Sequence, residues 1–93
     1  MTNHDFARTQ IAFYTNSANF DIEQMKYNRE IIKKENEFIK EAQKEGYTFT
    51  TTTEKKNAEK WYRYYYNQKK YDEKMIAYCK EVLTTADYLL FED

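Results

Sequence analysis

Residues that break or bend a chain are almost missing from this sequence. Its 93 residues include no proline and a single glycine, Gly46. Because proline and glycine are the strongest punctuators of secondary structure, their scarcity favours a few long elements over many short ones. Leu, Ile, Val and Phe together supply only 16 of the 93 residues, but the net charge is only −1 and ten Tyr are present. We therefore expect one folded domain over residues 1–93, with rings in its core.

The side chains that carry most catalytic chemistry are also scarce. The only histidine, His4, lies near the N-terminus, where we expect mobility, so one chain cannot assemble a histidine-based triad or a multi-histidine metal site. The only cysteine, Cys79, cannot form an internal disulfide, and its apolar neighbours predict a small buried residue. One glycine cannot build a phosphate-binding loop.

Acidic pairs do not replace the missing catalytic groups. Glu35 with Glu37, and Asp72 with Glu73, are so close in sequence that their carboxylates diverge on a helix. We expect these side chains to be solvated. The sequence therefore predicts no catalytic residues, no metal site, no cofactor and no enzymatic activity.

Long apolar runs are missing as well. No stretch approaches the 18 or so apolar residues of a membrane span, and no charged-then-apolar leader opens the sequence. Together with the single cysteine, this predicts a soluble, cytoplasmic protein that does not enter a membrane.

The first half of the chain reads as two helices separated by a break. Phe6, Phe13 and Phe20 recur every seven residues, and Thr2 with Asp5 has capping-box spacing, which predicts a short amphipathic helix over residues 3–17. The polar stretch TNSANFD then indicates a break. A second, long helix is expected from an N-cap at Asp21 to Gly46, with a core stripe of Met25, Ile32 and Ile39, flanked by Ile22, Ile31, Phe38 and Ala42.

The second half predicts a connector followed by one long helix. YTFTTTT alternates like a strand, but no second strand-like stretch can pair with it, so an extended Thr-rich connector is expected, or a short strand paired between subunits. Thr51 and Glu54 form a candidate capping box. From Glu54 the helix is expected to continue to the C-terminus. Because it would be longer than the helix before it, either it kinks near residues 66–71 or 84–85, or its surplus length packs on the N-terminal helix or on another chain. Its predicted apolar seam comprises Met75, Ile76, Cys79, Val82, Leu83, Ala86, Leu89 and Leu90. The predicted fold is all-α: a helical hairpin of two long helices, a short N-terminal helix and the connector.

The stretch EKWYRYYYNQKKY, residues 59–71, carries the candidate binding site. Helical spacing assigns Ala58, Trp61, Tyr62, Tyr65 and Gln68 to the buried seam. Rings beside guanidinium and ammonium groups are typical anchors of protein interfaces and of single-stranded nucleic-acid sites. The residues predicted to bind a partner are Lys60, Arg63, Tyr64, Tyr66, Lys69, Lys70 and Tyr71.

Charge along the last helix favours association. Residues 54–71 carry six Lys or Arg against two Glu, whereas residues 72–93 carry six acidic residues against two Lys. This polarity suits antiparallel self-association, and it equally suits a basic patch for an anion. A protein partner is the leading expectation, a homo-oligomer is also expected, and the alternative is nucleic-acid or nucleotide binding through residues 59–71.

The composition is similar to that of small phage-encoded proteins that bind and block a host or defence factor. The resemblance lies in a short chain rich in Lys, Asn, Tyr and Glu that lacks catalytic residues. It covers composition alone and transfers no residue roles. It implies a non-enzymatic helical interaction protein that blocks or bridges a macromolecular partner.

Overall fold

Two long helices account for most of the structure, a computed structural model that describes residues 2–85. Helix α1 spans Asn3–Lys44 and helix α2 spans Thr53–Thr84. Residues 47–52 between them have no regular secondary structure, and residues 2–85 contain no strand. The prediction of an all-α chain with two long helices is confirmed.

The predicted short N-terminal helix is not a separate element. Helix α1 runs through TNSANFD without interruption, so Asp21 lies inside the helix and cannot be its N-cap. Ala18 and Asp21 are both buried, and they continue the buried side of the helix across this polar stretch. Weak local helix propensity is commonly overridden when one face of the segment is buried, and that is the outcome here.

The N-terminus of α1 has the predicted capping box. The backbone N–H of Asp5 donates to Thr2 Oγ1 at 3.0 Å, and the backbone N–H of Thr2 donates to Asp5 Oδ2 at 3.3 Å. The hydrogen bonds from Thr2, with a smaller contribution from nearby Arg8, hold the pKa of Asp5 below its usual value. The box thus satisfies two backbone donors at the helix start.

Gly46 ends α1, as predicted, in a Schellman motif. Its φ of 98° lies in the left-handed region. The Tyr47 N–H donates to the Ala42 carbonyl at 3.1 Å, and the Gly46 N–H donates to the Gln43 carbonyl at 3.1 Å. Beyond the motif, the Phe49 ring stacks on Phe38 with centroids 6.0 Å apart. These contacts hold the connector against the end of α1.

The start of α2 differs from the predicted capping box. Thr52, rather than Thr51, is the cap: its Oγ1 accepts the backbone N–H of Lys55 at 3.1 Å. The same hydroxyl donates to Glu35 Oε1 at 2.7 Å. Glu35 was expected to be solvated, but it is half-buried. The bond to α1 selects which of the neighbouring threonines becomes the cap.

Helix α2 is continuous through the segment where a kink was predicted. It ends at Thr84, whose Oγ1 donates to the Glu81 carbonyl at 2.7 Å. Competition from such hydroxyls for backbone carbonyls is typical of helix ends. Of the predicted seam, Cys79 is buried and Met75, Ile76, Val82 and Leu83 are half-buried. Ala86, Leu89 and Leu90 lie outside the described residues, as does the predicted continuation of the helix to the C-terminus.

Burial along both helices follows a seven-residue repeat. In α1 the buried and half-buried residues include two series that each recur every seven residues, one starting at His4 and the other at Ala7. In α2 the corresponding series start at Lys55 and Ala58. We call these series the inner positions. Alternating spacings of three and four are those of coiled-coil packing.

By its internal contacts the chain divides into two compact units. Unit 1 comprises residues 2–20 and 68–85 of the described chain, and unit 2 comprises Asp21–Asn67. Each unit pairs an α1 segment with an α2 segment running antiparallel: His4 and Tyr14 contact Thr85 and Tyr71 in unit 1. A single domain over residues 1–93 stays a prediction.

The two units bury different kinds of side chain. In the described part of unit 1 the fully buried residues are Ala7, Ala18, Cys79 and Asp72. In unit 2 they include Met25 and Ile39, together with Asp21, Asn28, Ala42 and Ala58. Unit 2 therefore buries large apolar side chains, whereas unit 1 buries small ones and a carboxylate.

Candidate interaction surfaces

The seven residues predicted to bind a partner do not form one surface. Because each residue turns a helix by about 100°, Tyr64 and Tyr71 share one side of α2, while Tyr66 lies on nearly the opposite side. Lys69 occupies a half-buried inner position and pairs with Glu73, Nζ to Oε1, at 2.9 Å. The set also divides between the units: Lys60, Arg63, Tyr64 and Tyr66 belong to unit 2, whereas Lys69, Lys70 and Tyr71 belong to unit 1.

Trp61 was assigned to the buried seam, and that assignment is wrong. Its side chain is 45% exposed, and Gln68, from the same predicted seam, is also exposed. The inner positions of α2 instead pass through Ala58, Tyr62, Tyr65 and Lys69. Trp61 therefore lies at the edge of the packed side and is available as part of a surface.

Trp61 joins Tyr64 and Tyr27 in a cluster that we call the tryptophan face. The Trp61 and Tyr64 rings meet edge to face with centroids 5.6 Å apart. Tyr27, on α1, and Trp61 line two shared grooves of about 200 Å³ and 290 Å³. All three rings are exposed, with Tyr64 at 48%. Grooves this small fall below the usual size of small-molecule sites, so the surface is better suited to a macromolecule.

Cationic side chains border the tryptophan face. Lys60 Nζ lies 5.6 Å from the centroid of the Trp61 ring. Arg63 is exposed next to Tyr64 in sequence. Arg29 of α1 donates to the Tyr62 hydroxyl at 3.3 Å and lies 5.8 Å from the centroid of that ring. Trp, Tyr and Arg are the side chains most enriched among energetically dominant interface residues.

A second group of exposed rings lies in unit 1, and we call it the phenylalanine face. Its members are Phe6, Phe13, Phe20, Tyr71 and Tyr78, all exposed, with Phe13 at 62%. Phe6 and Tyr78 line one groove of about 260 Å³ with Ala7, Cys79, Asn3 and Val82. Phe6 and Phe13 were predicted to lie on the apolar side of a short helix, and that placement is wrong, because the inner positions of α1 lie about 100° or more away from them around the helix.

Tyr71 of the phenylalanine face contacts Tyr14 on the other helix. The Tyr14 and Tyr71 rings lie 6.1 Å apart in an edge-to-face arrangement, and Phe13 lies 5.2 Å from Tyr14. Burial, and then the hydrogen bond with Tyr71, raise the pKa of Tyr14 above its usual value. A tyrosine with a raised pKa stays neutral at physiological pH, so the Tyr14 hydroxyl keeps its proton there.

Two further residues differ from their sequence predictions. Asp72 was expected to be solvated, yet it is 3% exposed, and its Oδ2 has no hydrogen-bond partner within residues 2–85. His4 was expected to be mobile, yet it lies in α1 and its Nε2 contacts the carbonyl oxygen of Thr85. Cys79 is buried, as predicted.

Within residues 2–85, no group of three or more His, Cys, Asp or Glu side chains is arranged to hold a metal ion. No helix in that same range is long and apolar enough to cross a membrane. A groove of about 480 Å³ that includes Arg29 and Lys33 is lined by α1 alone, and one helix surface cannot enclose a ligand.

No protein-family model, no curated protein and no solved structure matches this chain.

Sequence reasoning missed two members of the tryptophan face, Trp61 and Tyr27. A signal for Tyr27 was present, because it continues the seven-residue spacing of Phe6, Phe13 and Phe20. That spacing identifies one side of a helix but does not say whether the side is packed or exposed. The distinction needs the position of the second helix, which the burial pattern supplies.

Proposed function

We propose that this chain is a non-enzymatic helical interaction protein that binds a protein partner through the tryptophan face and thereby blocks or bridges it. The observation that carries the proposal is the half-exposed Trp61–Tyr64 pair next to Tyr27. Large rings that are only partly covered in the free protein gain the most from burial by a partner. Exposed Lys60 and Arg63 at the border supply orientation and specificity.

Several narrower expectations belong to this proposal. The protein acts in the cytoplasm, associates with itself as a homo-oligomer, and blocks its partner in the manner of a phage-type inhibitor of a host or defence factor. The single cysteine supports the cytoplasmic location, and the low aliphatic content supports the homo-oligomer. The compositional similarity to small phage-encoded proteins supports the third.

Nucleic-acid or nucleotide binding is the alternative function. Lys60 next to the Trp61 ring resembles the combination of cation and stacking platform that single-stranded nucleic acid uses. The charge of unit 2 argues against it, because residues 21–67 contain ten Lys or Arg and nine Asp or Glu. Counterion release therefore contributes little over unit 2 as a whole, even though residues 54–71 are basic, so a protein partner is favoured.

Immobilised full-length protein, exposed to a bacterial lysate with and without nuclease, tests the proposal. The variant Tyr64→Ala with Arg63→Ala should lose the proteins captured by the wild type, weakening binding by about 2 kcal/mol or more. Lys74→Ala, on an exposed part of α2, is the matched control and should capture the same proteins. Equal capture by the double variant would contradict the proposal.

Titration of a fluorescent single-stranded oligonucleotide at several salt concentrations tests the alternative. Phosphate binding predicts an affinity that falls log-linearly as salt rises, with a smaller slope after charge reversal at Lys60 and Arg63. Absence of oligonucleotide binding at low salt would exclude this function. Nuclease-sensitive capture from the lysate would favour it over a protein partner.

A further inference from the structure

Within the described residues, unit 1 buries no large apolar side chain completely, although Ile11, Ile76 and Leu83 are half-buried at inner positions. Its fully buried residues in the described range are two alanines, a cysteine and an aspartate, while the five rings of the phenylalanine face are exposed. Burial of large apolar side chains is the main stabilising contribution in a small domain, and such domains commonly depend on association. The rings that would supply that burial are present on one surface of unit 1.

We infer that the phenylalanine face is the self-association interface of this protein and that its occupant is the same face of a second copy. The inference rests on the homo-oligomer included in the proposed function and assigns the surface through which the copies associate. That surface shares no residue with the tryptophan face, because its members belong to unit 1.

The first argument for a second copy is the scarcity of charge on this side of both helices. On α1, the residues on this side through residue 20 are Asn3, Phe6, Gln10, Phe13, Ser17 and Phe20. On α2 they are Gln68, Tyr71, Met75, Tyr78 and Val82. The exposed Lys74 and Glu81, one of each sign, border Tyr71 and Tyr78 on the outer side of α2. A two-fold interface brings a surface against itself, so a charge near the axis faces its own sign. A face whose few charges lie at its border meets its own copy with little of that repulsion.

The second argument is the available area. Five rings that each expose about half of a roughly 200 Å² side chain present roughly 500 Å² per copy. Two copies would then bury about 1,000 Å² in total, which reaches the lower bound for a specific protein interface. Met75 and Val82, both half-buried at the edge of the face, add to this area.

The third argument is the periodicity of the rings. Phe6, Phe13 and Phe20 on α1, and Tyr71 and Tyr78 on α2, keep a seven-residue spacing. A seven-residue spacing stays aligned with another helix that follows the same repeat, as helices in a bundle do. A second copy carries that repeat on both helices.

Sedimentation of the full-length protein over a wide concentration range tests the inference. The wild type should have twice the 11.4 kDa mass of one chain and should dissociate on dilution, with a Tm that rises with protein concentration. A chain that stays monomeric at every concentration up to about 100 μM would overturn the inference, because so weak an association cannot hold a specific interface.

Variants locate the interface. Phe13→Lys should raise the dissociation constant of the dimer at least about tenfold, because two copies would bring like charges together. Thr15→Lys adds the same charge on the opposite side of α1, at an exposed position, and should leave the dimer intact. Tyr78→Lys is a second variant on the face. Circular dichroism shows whether each variant is folded, and if one is misfolded, the other still tests the interface.

Two outcomes would contradict the assignment of the face. An unchanged dimer in folded Phe13→Lys and Tyr78→Lys would place the interface elsewhere. The second outcome is a monomeric wild type together with a Phe13→Lys variant whose Tm is lower than that of the wild type by the same amount at every protein concentration. It would show that residues of the same chain cover the face. Neither outcome touches the tryptophan face, whose test is partner capture by Tyr64→Ala with Arg63→Ala.

Discussion

The two units of this chain use the same helices in different ways. Unit 2 buries Met25 and Ile39 and presents the tryptophan face, whereas unit 1 buries alanine, cysteine and aspartate and presents five exposed rings. Both contain polar inner positions, such as Asn28 in unit 2 and Asp72 in unit 1. Within the described residues, the apolar core of unit 2 is therefore more completely buried than that of unit 1, although unit 2 also exposes large rings.

The largest effect is expected at Ile39, in the core of unit 2. Ile39→Asp puts a carboxylate in a buried apolar site and should lower the free energy of unfolding by about 4 kcal/mol or more. Urea denaturation followed by circular dichroism measures the loss. Lys40→Asp introduces the same side chain at the next, exposed residue and should cost less than about 1 kcal/mol. Similar losses of unfolding free energy in the two variants would contradict the assignment of Ile39 to the core of unit 2.

Leu83→Asp makes the same change in unit 1. Leu83 is only half-buried, so we expect a smaller loss than at Ile39, about 2 to 3 kcal/mol, together with weaker self-association. Denaturation and sedimentation of the same samples separate these effects. A loss larger than that of Ile39→Asp would reverse the comparison between the units.

Asp72→Leu should stabilise the protein. The buried Asp72 Oδ2 accepts no hydrogen bond within residues 2–85, and replacing such a carboxylate by an apolar side chain commonly gains about 1 to 3 kcal/mol. The matched control is Glu73→Leu, at an exposed neighbour, which should change stability by less than about 1 kcal/mol. A clear loss of stability in Asp72→Leu would show that the carboxylate is bonded in the folded protein. A gain would confirm that polar inner positions limit the core of unit 1.

Gly46→Ala tests the turn that follows α1 in unit 2. A Cβ at this position would meet no atom within 4 Å, so the cost comes only from the backbone φ of 98°. We expect a loss of about 1 kcal/mol, with a smaller loss for Gly46→Asn, because asparagine tolerates this conformation better. Equal stability of all three proteins would mean that the turn relaxes to another conformation.

The smallest effect is expected at Asp5, at the N-terminal end of unit 1. Because folding lowers the pKa of Asp5 below its usual 3.8, its contribution is present above pH 3.8 and is lost as pH falls through the lowered value. Asp5→Asn should lower the Tm by no more than a few degrees at pH 6, since the box is exposed. The difference from the wild type should shrink near pH 2. A difference independent of pH would show that the charge of Asp5 contributes nothing.

Local signals in the sequence predict the ends of α1 correctly. The capping box of Thr2 and Asp5 forms bonds only to residues within three positions, and Gly46 acts on the last turn of the same helix. Both roles can therefore be predicted from the local sequence without knowledge of the rest of the fold. The choice between Thr51 and Thr52 is different, because the hydrogen bond from Thr52 to Glu35 depends on the neighbouring helix. Sequence spacing alone could not decide it.

Surface assignments are less accessible from the sequence for the same reason. The spacing of Phe6, Phe13 and Phe20 correctly indicates one side of a helix, yet the packed side lies about 100° or more away around that helix. For Asp72 the error is the reverse, because its charge predicts an exposed side chain. Its position in the seven-residue repeat instead buries it. Trp61 was assigned to the core but lies at the position next to the inner positions around the helix. That small angular difference turns a predicted core residue into a surface residue.

The seven-residue repeat of inner positions also limits how the gene can change in length. Loss of one codon within α1 would rotate all later residues by about 100° relative to earlier ones and would bring exposed lysines to inner positions. A change of seven codons rotates them by only about 20°, but it must be matched by seven codons in the other helix to keep the antiparallel pairs aligned. Insertions of any length are therefore expected to be tolerated better in the connector, between Phe49 and Thr52, than in the helices, which should accept changes only as matched heptads.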